Sequence, residues 1–453
     1  MADLEPLCAV EACELTLRGT PLRATTGSSQ ASAAHSCLPS SASELAGLVC
    51  PQGCAPAEPA ASPAGGPDAT TNPVDSASWE DHEFRNPSPR SISERKKRRR
   101  FTYELRDALR ALSTKRVGAC GRRRIAREVE VVRRTSTRGS GETYQHAYYR
   151  GLLRCGSVWE CPVCAMQIHA ERGGELTRAV AMWGPANVAM LSLTVRHGLG
   201  DDLRATRQGI ANAFQALIRG EPWKRFCLKY GVDHHVRALE ITHGRRHGWH
   251  PHIHALLFLQ TPLSADELAE ATSWLQERWR NCVRRALGSA FAPNDHGVDL
   301  RESKCADYLA RFSFELVDPG TKRGRGENRT PIQIAASAAE GRHSDDEALW
   351  VAYCEAMRGA KMLTWSKGLR AAVELDVEKD DREIVEGEEQ KEAEIVAVIS
   401  GAAWDGARDR RGVPCAILEA AELATGQAEG FAAIENLIRV RGKPGRTPLE
   451  NGV

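Results

Sequence analysis

From residue 188 onward, short runs of apolar residues alternate with longer amphipathic stretches. The short runs predict strands at 188–195, 236–241 and 253–259. The longer stretches predict helices at 203–219, 265–287 and 302–314. Strands joined by helices, with one hairpin among them, predict a small α+β domain whose antiparallel sheet has helices on one face.

The third predicted strand and the residues just before it carry histidines at every second position: His250, His252 and His254. Successive side chains of a strand point to opposite faces, so all three histidines share one face. Folding the chain about the loop of residues 243–248 places Glu240 of the second strand opposite His252 and His254. The pattern therefore brings one carboxylate and several imidazoles together.

One carboxylate and two imidazoles can bind a divalent ion and leave coordination positions open for a substrate phosphate. We therefore predict a metal site formed by Glu240, His252 and His254, with His250 as a further ligand. Oxygen ligation favours Mg²⁺ or Mn²⁺ as the ion. In the alternative interpretation, Glu240 forms a salt bridge with a neighbouring arginine and the histidines face solvent.

Four cysteines upstream of the predicted sheet form a second group. Cys161 and Cys164 make a CxxC pair, Cys155 precedes the pair by six residues, and Cys120 lies further upstream. A chain with 14 cysteines and no apolar signal segment is expected in the cytoplasm, where thiols stay reduced. Because four thiolates can close a tetrahedral site, we predict structural Zn²⁺ here, with His169 as a substitute ligand. Buried or redox-active thiols are the alternative.

The net charge of +2 hides a strongly basic segment. Residues 95–138 contain 17 Lys and Arg against 4 Asp and Glu, which predicts a surface for DNA phosphates rather than a merely solvated charge run. The residues expected to contact DNA are Arg98, Arg99, Arg100, Arg122, Arg123 and Arg124. Residues 374–394 have eleven acidic and three basic side chains, which predicts a solvated, non-catalytic tail.

Taken together, several motifs resemble the plasmid rolling-circle replication initiators of the HUH endonuclease superfamily. In the order of that family, these motifs occupy residues 155–164, 191–197, 248–254, 306–312 and 363–369. The resemblance covers roughly residues 115–370, and the combination is far more specific than any single motif. It implies a ferredoxin-like HUH fold over the predicted sheet.

The resemblance also assigns a catalytic nucleophile. Tyr308 matches the tyrosine that the family places downstream of the histidine motif. Several family members have a glutamate one helical turn before this tyrosine, but here that position is Lys304, and the nearest upstream acid is Glu302. The usual lysine three residues after the tyrosine is replaced by Arg311, which keeps the positive charge. The chain thus departs from the family where water would be activated for a second cleavage.

The implied function is site-specific nicking and joining of single-stranded plasmid origin DNA through a 5′-phosphotyrosine, with a host helicase and polymerase as partners. The alternatives are a transposase or relaxase of the same superfamily and a non-catalytic, zinc-dependent DNA-binding regulator. No apolar stretch approaches 18 residues, so we expect no membrane span. The predicted divisions are a disordered low-complexity extension (1–94), a basic zinc-binding module (95–182), an HUH nicking domain (183–320), a helical part (321–372) and a partly disordered acidic tail (373–453).

Overall fold

The computed structural model describes residues 92–137, 143–302 and 328–439. Their strands are β1 (Glu128–Thr137), β2 (Thr143–Arg150), β3 (Val188–Leu193), β4 (Val232–Gly244), β5 (Gly248–Leu259), β6 (Val298–Glu302), β7 (Leu363–Trp365) and β8 (Glu394–Ser400). Their α-helices are α1 (Ile92–Ala108), α2 (Lys115–Gly118), α3 (Pro162–Trp183), α4 (Leu203–Leu217), α5 (Gly220–Tyr230), α6 (Ala265–Leu287), α7 (Pro331–Glu340), α8 (Asp346–Met357), α9 (Leu369–Ala372), α10 (Asp381–Gly387), α11 (Gly401–Ala407), α12 (Val413–Leu423) and α13 (Gln427–Arg439).

The predicted α+β architecture with an antiparallel sheet is confirmed. Five strands form one sheet in the order β6-β3-β5-β4-β7, and each neighbouring pair is antiparallel. The hairpin of β4 and β5 lies at its centre and closes at the pair Gly244 and Gly248. Both strands extend beyond the predicted bounds, because the hairpin continues as a ladder up to its turn. The histidine motif therefore lies on a central strand.

The prediction of helices on one face of this sheet is wrong. Helices α4, α5 and α6 cover the face that carries Leu191, Ile253 and Leu257. On the opposite face, Trp183 at the end of α3 packs edge-on against Phe258, with ring centroids 5.6 Å apart. The indole of Trp183 also donates a hydrogen bond to the carbonyl oxygen of Leu259 at 2.8 Å. Helices therefore lie on both faces of the sheet, and α3 packs on the histidine-bearing face at the end away from the hairpin turn.

Helix α6 has the predicted bounds because its start is encoded locally. Ser264 caps the helix by accepting a hydrogen bond from the Glu267 amide, and the Glu267 carboxylate accepts one from the Ser264 amide in return. The predicted helix at 302–314 fares differently. Glu302 is the last residue of β6 rather than the start of a helix, and it pairs with Ala189 of β3. Residues 303–314 lie outside the described residues.

A second sheet has the order β2-β1-β8 and joins distant parts of the chain. In this sheet Val129 of β1 pairs with Ile399 of β8. Trp404 and Ile417 of the following helices are fully buried in the same core as Val129. Residues 394–439 therefore form a strand and three helices that pack on β1, where the sequence predicted a partly disordered acidic tail. No helix in the described ranges has the length and apolar character needed to cross a membrane.

Candidate metal centres

The central hairpin brings three predicted ligands together. Glu240 on β4 is directly opposite His252 on β5, and Ala238 is opposite His254, so the three functional side chains share one face. One carboxylate oxygen of Glu240, Oε2, lies 3.2 Å from Nε2 of His252 and 3.2 Å from Nε2 of His254. The side chains are 10–13% exposed. The site is therefore recessed in the sheet face and still reaches solvent.

Hydrogen bonds fix the direction of both imidazoles. Nδ1 of His252 lies 3.2 Å from the carbonyl oxygen of His250, and a carbonyl oxygen can only accept. That Nδ1 therefore carries a proton, which leaves Nε2, facing Glu240, as the ring atom that can bind a metal ion. Nδ1 of His254 lies 2.9 Å from Oγ of Ser192, its partner on β3. Two imidazole nitrogens that converge on one carboxylate oxygen form a donor set that a divalent metal ion can bind.

His250 is on the same face but outside this group. The three residues whose ligand atoms lie within 4.8 Å of one another are Glu240, His252 and His254. His250 instead stacks on His197, with ring centroids 4.5 Å apart. Burial, followed by the neighbouring His252 and His197, lowers the pKa of His250 to about 3, so its ring is neutral. The expectation that His250 is a ligand is not supported by this arrangement.

The four predicted cysteines also meet in space. Their sulfur atoms all lie within 4.8 Å of one another, and all four residues are buried. Sγ of Cys164 is 3.5 Å from Sγ of both Cys120 and Cys155. Cys161 is the N-cap of α3, and Pro162 occupies the first helical position. The helix start therefore holds Cys161 and Cys164 one turn apart, and the four thiols fit a closed tetrahedral zinc site.

Two arginines, the buried Arg106 and the half-buried Arg154, lie close to these thiols. Gly121 has φ +64°, and a Cβ there would lie 2.5 Å from Nη1 of Arg106, so the guanidinium occupies the space beside Cys120. Within the described residues, that Nη1 has no hydrogen-bond partner. Hydrogen bonds from the other three thiols, together with the Arg154 guanidinium, hold the pKa of the Cys164 thiol well below its usual range. Arg154 thus favours the thiolate of Cys164, the form that binds zinc, whereas hydrogen bonds within the cluster and burial raise the pKa of Cys155 and Cys161.

The substitute zinc ligand lies elsewhere. His169, on α3, is fully buried, and burial lowers the pKa of its imidazole to about 3. It does not belong to the group of four thiols. The described structure therefore gives His169 no role as a ligand.

The structure gives no support to two of the predicted DNA contacts, because their guanidinium groups are buried in ion pairs. Arg99 of α1 pairs with Glu422 of α12, and both side chains are almost fully buried. Arg122 pairs with Asp409 and, at 3.2 Å, with Asp107. These arginines connect the basic segment to the C-terminal helices. Helical periodicity explains the burial of Arg99, since one face of the cationic helix α1 packs inward while the rest faces solvent.

The other predicted DNA contacts are at or near the surface. Arg100 is exposed and forms an ion pair of 3.0 Å with Glu419. Arg124 forms one of 3.2 Å with Asp405. Arg98 is half-buried and Arg123 is exposed. A role in DNA binding remains an expectation for these four residues.

The predicted catalytic residues are not brought to the metal site by the described structure. Tyr308 and Arg311 lie outside the described residues. Glu302 is exposed and pairs with Ala189, three residues along β3 from Ser192. The chain is described again from residue 328, and Arg329 forms a two-way backbone bridge with His243 of β4 at 2.9 and 2.8 Å. The sequence motifs do not single out Ser192, although its alternation with Leu191 and Leu193 already indicates a polar strand face.

Comparison with known proteins identifies the family. Residues 154–411 match the family model described as "Replication protein", which is more than half of the chain. The chain therefore belongs to the replication protein family. It is 28% identical over 307 residues to "Protein rep" of Streptomyces lividans, covering 52% of this chain and 67% of that protein.

A second relative matches over a shorter region. The chain is 34% identical over 135 residues to the "Neomycin resistance protein" of Streptomyces cyanogenus, covering 24% of this chain and 31% of that protein. This match thus spans under a third of that relative's length. No solved structure matches the chain.

Proposed function

We propose that this chain initiates rolling-circle replication of a plasmid by nicking one strand of the origin DNA, and that its five-stranded sheet is an HUH-type nicking domain. One observation carries the proposal: two oriented imidazole nitrogens lie 3.2 Å from the same oxygen of Glu240 on a central hairpin, in a chain of the replication protein family. A recessed site that reaches solvent suits a metal that must accept a phosphate from outside.

The chain's residues prepare this site before substrate arrives. Glu240, His252 and His254 would hold Mg²⁺ or Mn²⁺, which supplies polarisation of the scissile phosphate when bound. Ser192 and the carbonyl group of His250 hold the two imidazoles with Nε2 toward Glu240. The rings therefore need not reorient on binding, which limits the entropy that binding costs.

Tyr308 is the nucleophile in this proposal. Its phenolic oxygen attacks the phosphorus, the bond from phosphorus to the 3′ oxygen breaks, and that oxygen takes up a proton. The 5′ end stays attached as a phosphotyrosine, which keeps the energy of the cut bond for rejoining. The assignment rests on the motif at residues 306–312, in which Arg311 keeps a positive charge for the phosphate. The exposed Glu302 at the end of β6 gives no support for a water-activating role.

Origin DNA is the partner that this chemistry requires. The free 3′-hydroxyl would prime a host polymerase, and a host helicase would separate the strands. In the basic segment, Lys97, Arg100 and Arg123 are exposed on the protein surface, whereas Arg99 is buried. Exposed cations are the ones that can replace counterions on DNA phosphates, so we assign non-specific DNA affinity to them.

The test is to incubate the protein with Mn²⁺ and single strands of the origin and to search for a covalent adduct. The wild type should form the adduct, and Tyr308→Phe should lose both the adduct and nicking while binding origin DNA normally, because only the hydroxyl is removed. Tyr230→Phe, on α5, is the matched control and should behave as wild type.

If the Tyr308→Phe variant still formed the covalent adduct, another tyrosine would have to be the nucleophile. Tyr353 is a poor substitute, because it is 1% exposed and stacks on Trp249 and Trp350. Burial also raises the pKa of its hydroxyl well above the usual range, which disfavours the phenolate. A wild-type protein that forms no adduct with any origin strand would contradict the proposed function itself.

A further inference from the structure

A loop borders the Glu240, His252 and His254 site on the side of the hairpin turn. This rim loop, residues 197–200, follows β3 and packs against Gly248 at the start of β5. Gly248 has φ +70°, and a Cβ there would lie 2.8 Å from the carbonyl oxygen of Gly198 and 3.0 Å from Cα of Leu199. Only glycine permits this approach of two backbones, so the hairpin fixes the position of the rim loop.

Four imidazole rings run in a row from the metal site to the rim loop. The ring centroids are 4.9 Å apart from His254 to His252, 4.9 Å from His252 to His250, and 4.5 Å from His250 to His197. The last two rings are within 22° of parallel. Nδ1 of His197 donates to the carbonyl oxygen of His247 at 2.8 Å, in an exposed part of the hairpin turn. The row therefore continues past the candidate ligands to the surface.

The surface around His197 combines apolar and cationic side chains. Leu199 is 66% exposed, so its side chain is available for contact at the surface. Arg196 before the loop and Arg245 and Arg246 at the hairpin turn are exposed. The nearby Asp201 carboxylate accepts a hydrogen bond from the Gly198 amide at 2.6 Å, so this acid stabilises the loop. Surfaces that bind single-stranded nucleic acid typically combine two features. Aromatic rings and apolar groups pack on the bases, and neighbouring cations attract the phosphates.

We propose that the rim loop and the hairpin turn bind the single-stranded nucleotides next to the scissile phosphate. Bases pack on His197 and Leu199, while Arg196, Arg245 and Arg246 attract the phosphates. The position of the scissile phosphate rests on the proposed function, whereas the binding of a single strand does not. The rim loop would thus position the single-stranded DNA so that it follows the row of imidazole rings to the metal site.

Binding measured without metal tests this inference separately from cleavage. The probe is fluorescein-labelled single-stranded oligothymidylate, with fluorescence anisotropy recorded in EDTA for the full chain. His197→Ala should weaken binding roughly 5- to 100-fold, because one base-stacking contact is lost. His197→Phe keeps an aromatic ring and should bind within about threefold of wild type. Leu199→Ser should weaken binding by a smaller factor, about threefold.

Two controls make the result specific. Leu228 on α5 is 86% exposed, so Leu228→Ser changes a comparable leucine outside the rim and should leave binding unchanged. A blunt DNA duplex should bind His197→Ala and wild type equally, because its bases are already stacked inside. Melting temperatures of the Leu199 and Leu228 variants should match wild type, since both side chains are exposed.

Normal binding of oligothymidylate by His197→Ala would overturn the inference, and so would His197→Phe binding as weakly as His197→Ala. These outcomes are distinct from a failure of the proposed function. Glu240→Gln should bind the oligonucleotide normally in EDTA, whatever it does to cleavage. A wild type that binds through the rim but never nicks contradicts the proposed function alone, and one that nicks while the rim variants bind normally contradicts the inference alone.

Discussion

The two candidate metal centres differ in how the chain encloses them. The four cysteines are buried on every side, with Cys120 and Cys164 fully inaccessible to solvent. The three candidate ligands on the hairpin are recessed but retain exposed side-chain surface. Four protein ligands complete a tetrahedral shell, whereas three leave positions open. This difference in burial suits a structural role for the first centre and, on the proposed function, a substrate-binding role for the second.

The chemistry of the ligands supports the same division. Thiolates favour zinc, and the neighbouring cations Arg106 and Arg154 would offset the excess negative charge of four thiolates around a divalent ion. Carboxylate and imidazole ligands with open positions suit Mg²⁺ or Mn²⁺. Loss of zinc from the cysteines should therefore lower the stability of the fold. Loss of Mg²⁺ or Mn²⁺ from the hairpin site should lower the nicking activity.

The largest effect is expected at the cysteines. Cys161→Ser should remove the bound zinc and lower the unfolding free energy by at least about 3 kcal/mol, well within the roughly 10–16 kcal/mol that structural zinc contributes in zinc-finger peptides. Elemental analysis and thermal unfolding measure the two quantities. Cys227→Ser is the matched control, because Cys227 is half-buried on α5 and should affect neither.

A Cys161→Ser protein that melts like wild type would make the four cysteines ordinary packing residues. A purified wild type that holds no zinc would have the same consequence. Either result would contradict the assignment of one structural and one catalytic metal centre, because the four buried cysteines would then bind no metal.

Much of the site could be predicted from sequence because its elements are local. Glu240, His252 and His254 lie on two strands joined by a short turn, so strand periodicity and the hairpin suffice to bring them together. The contact of Ser192 with His254 could be predicted only by knowing that β3 pairs with β5. No local sequence pattern specifies which strand becomes the neighbour of β5. His197 was missed for a related reason, since its contact with His250 depends on the packing of the rim loop on Gly248.

The errors in the fold have a similar cause. Pairing between β1 and β8 joins segments that are far apart in the chain, so the acidic composition just before β8 suggested a tail. The apolar run at residues 395–399 was the available signal. Arg99 was assigned to DNA because its partner, Glu422, comes from the same distant segment. Composition describes a segment but does not show what packs against it.

A second prediction concerns the open centre. Glu240→Gln should reduce metal-dependent nicking more than about 100-fold, because it replaces a charged ligand with a neutral one of the same shape. Its melting temperature should stay close to that of the wild type, since the side chain faces an open site. Brief EDTA treatment of the wild type should abolish nicking, and added Mn²⁺ should restore it while the zinc content stays constant. Nicking that is equal in EDTA and in Mn²⁺ would refute the metal assignment.

The smallest effect is expected one step away from the metal, at Ser192. Its hydroxyl oxygen lies 2.9 Å from Nδ1 of His254 and holds the ring with Nε2 toward Glu240. Ser192→Ala should weaken Mn²⁺ binding by about 10- to 100-fold, the usual cost of losing a partner that orients a ligand. Ser192→Thr keeps a hydroxyl on a strand that tolerates β-branching and should recover most of the affinity. Mn²⁺ affinity can be measured by electron paramagnetic resonance without any substrate, with zinc content as the internal reference for the closed centre. If both variants bind Mn²⁺ like wild type, the orientation of His254 does not depend on Ser192, and the open centre relies on the β4–β5 hairpin alone.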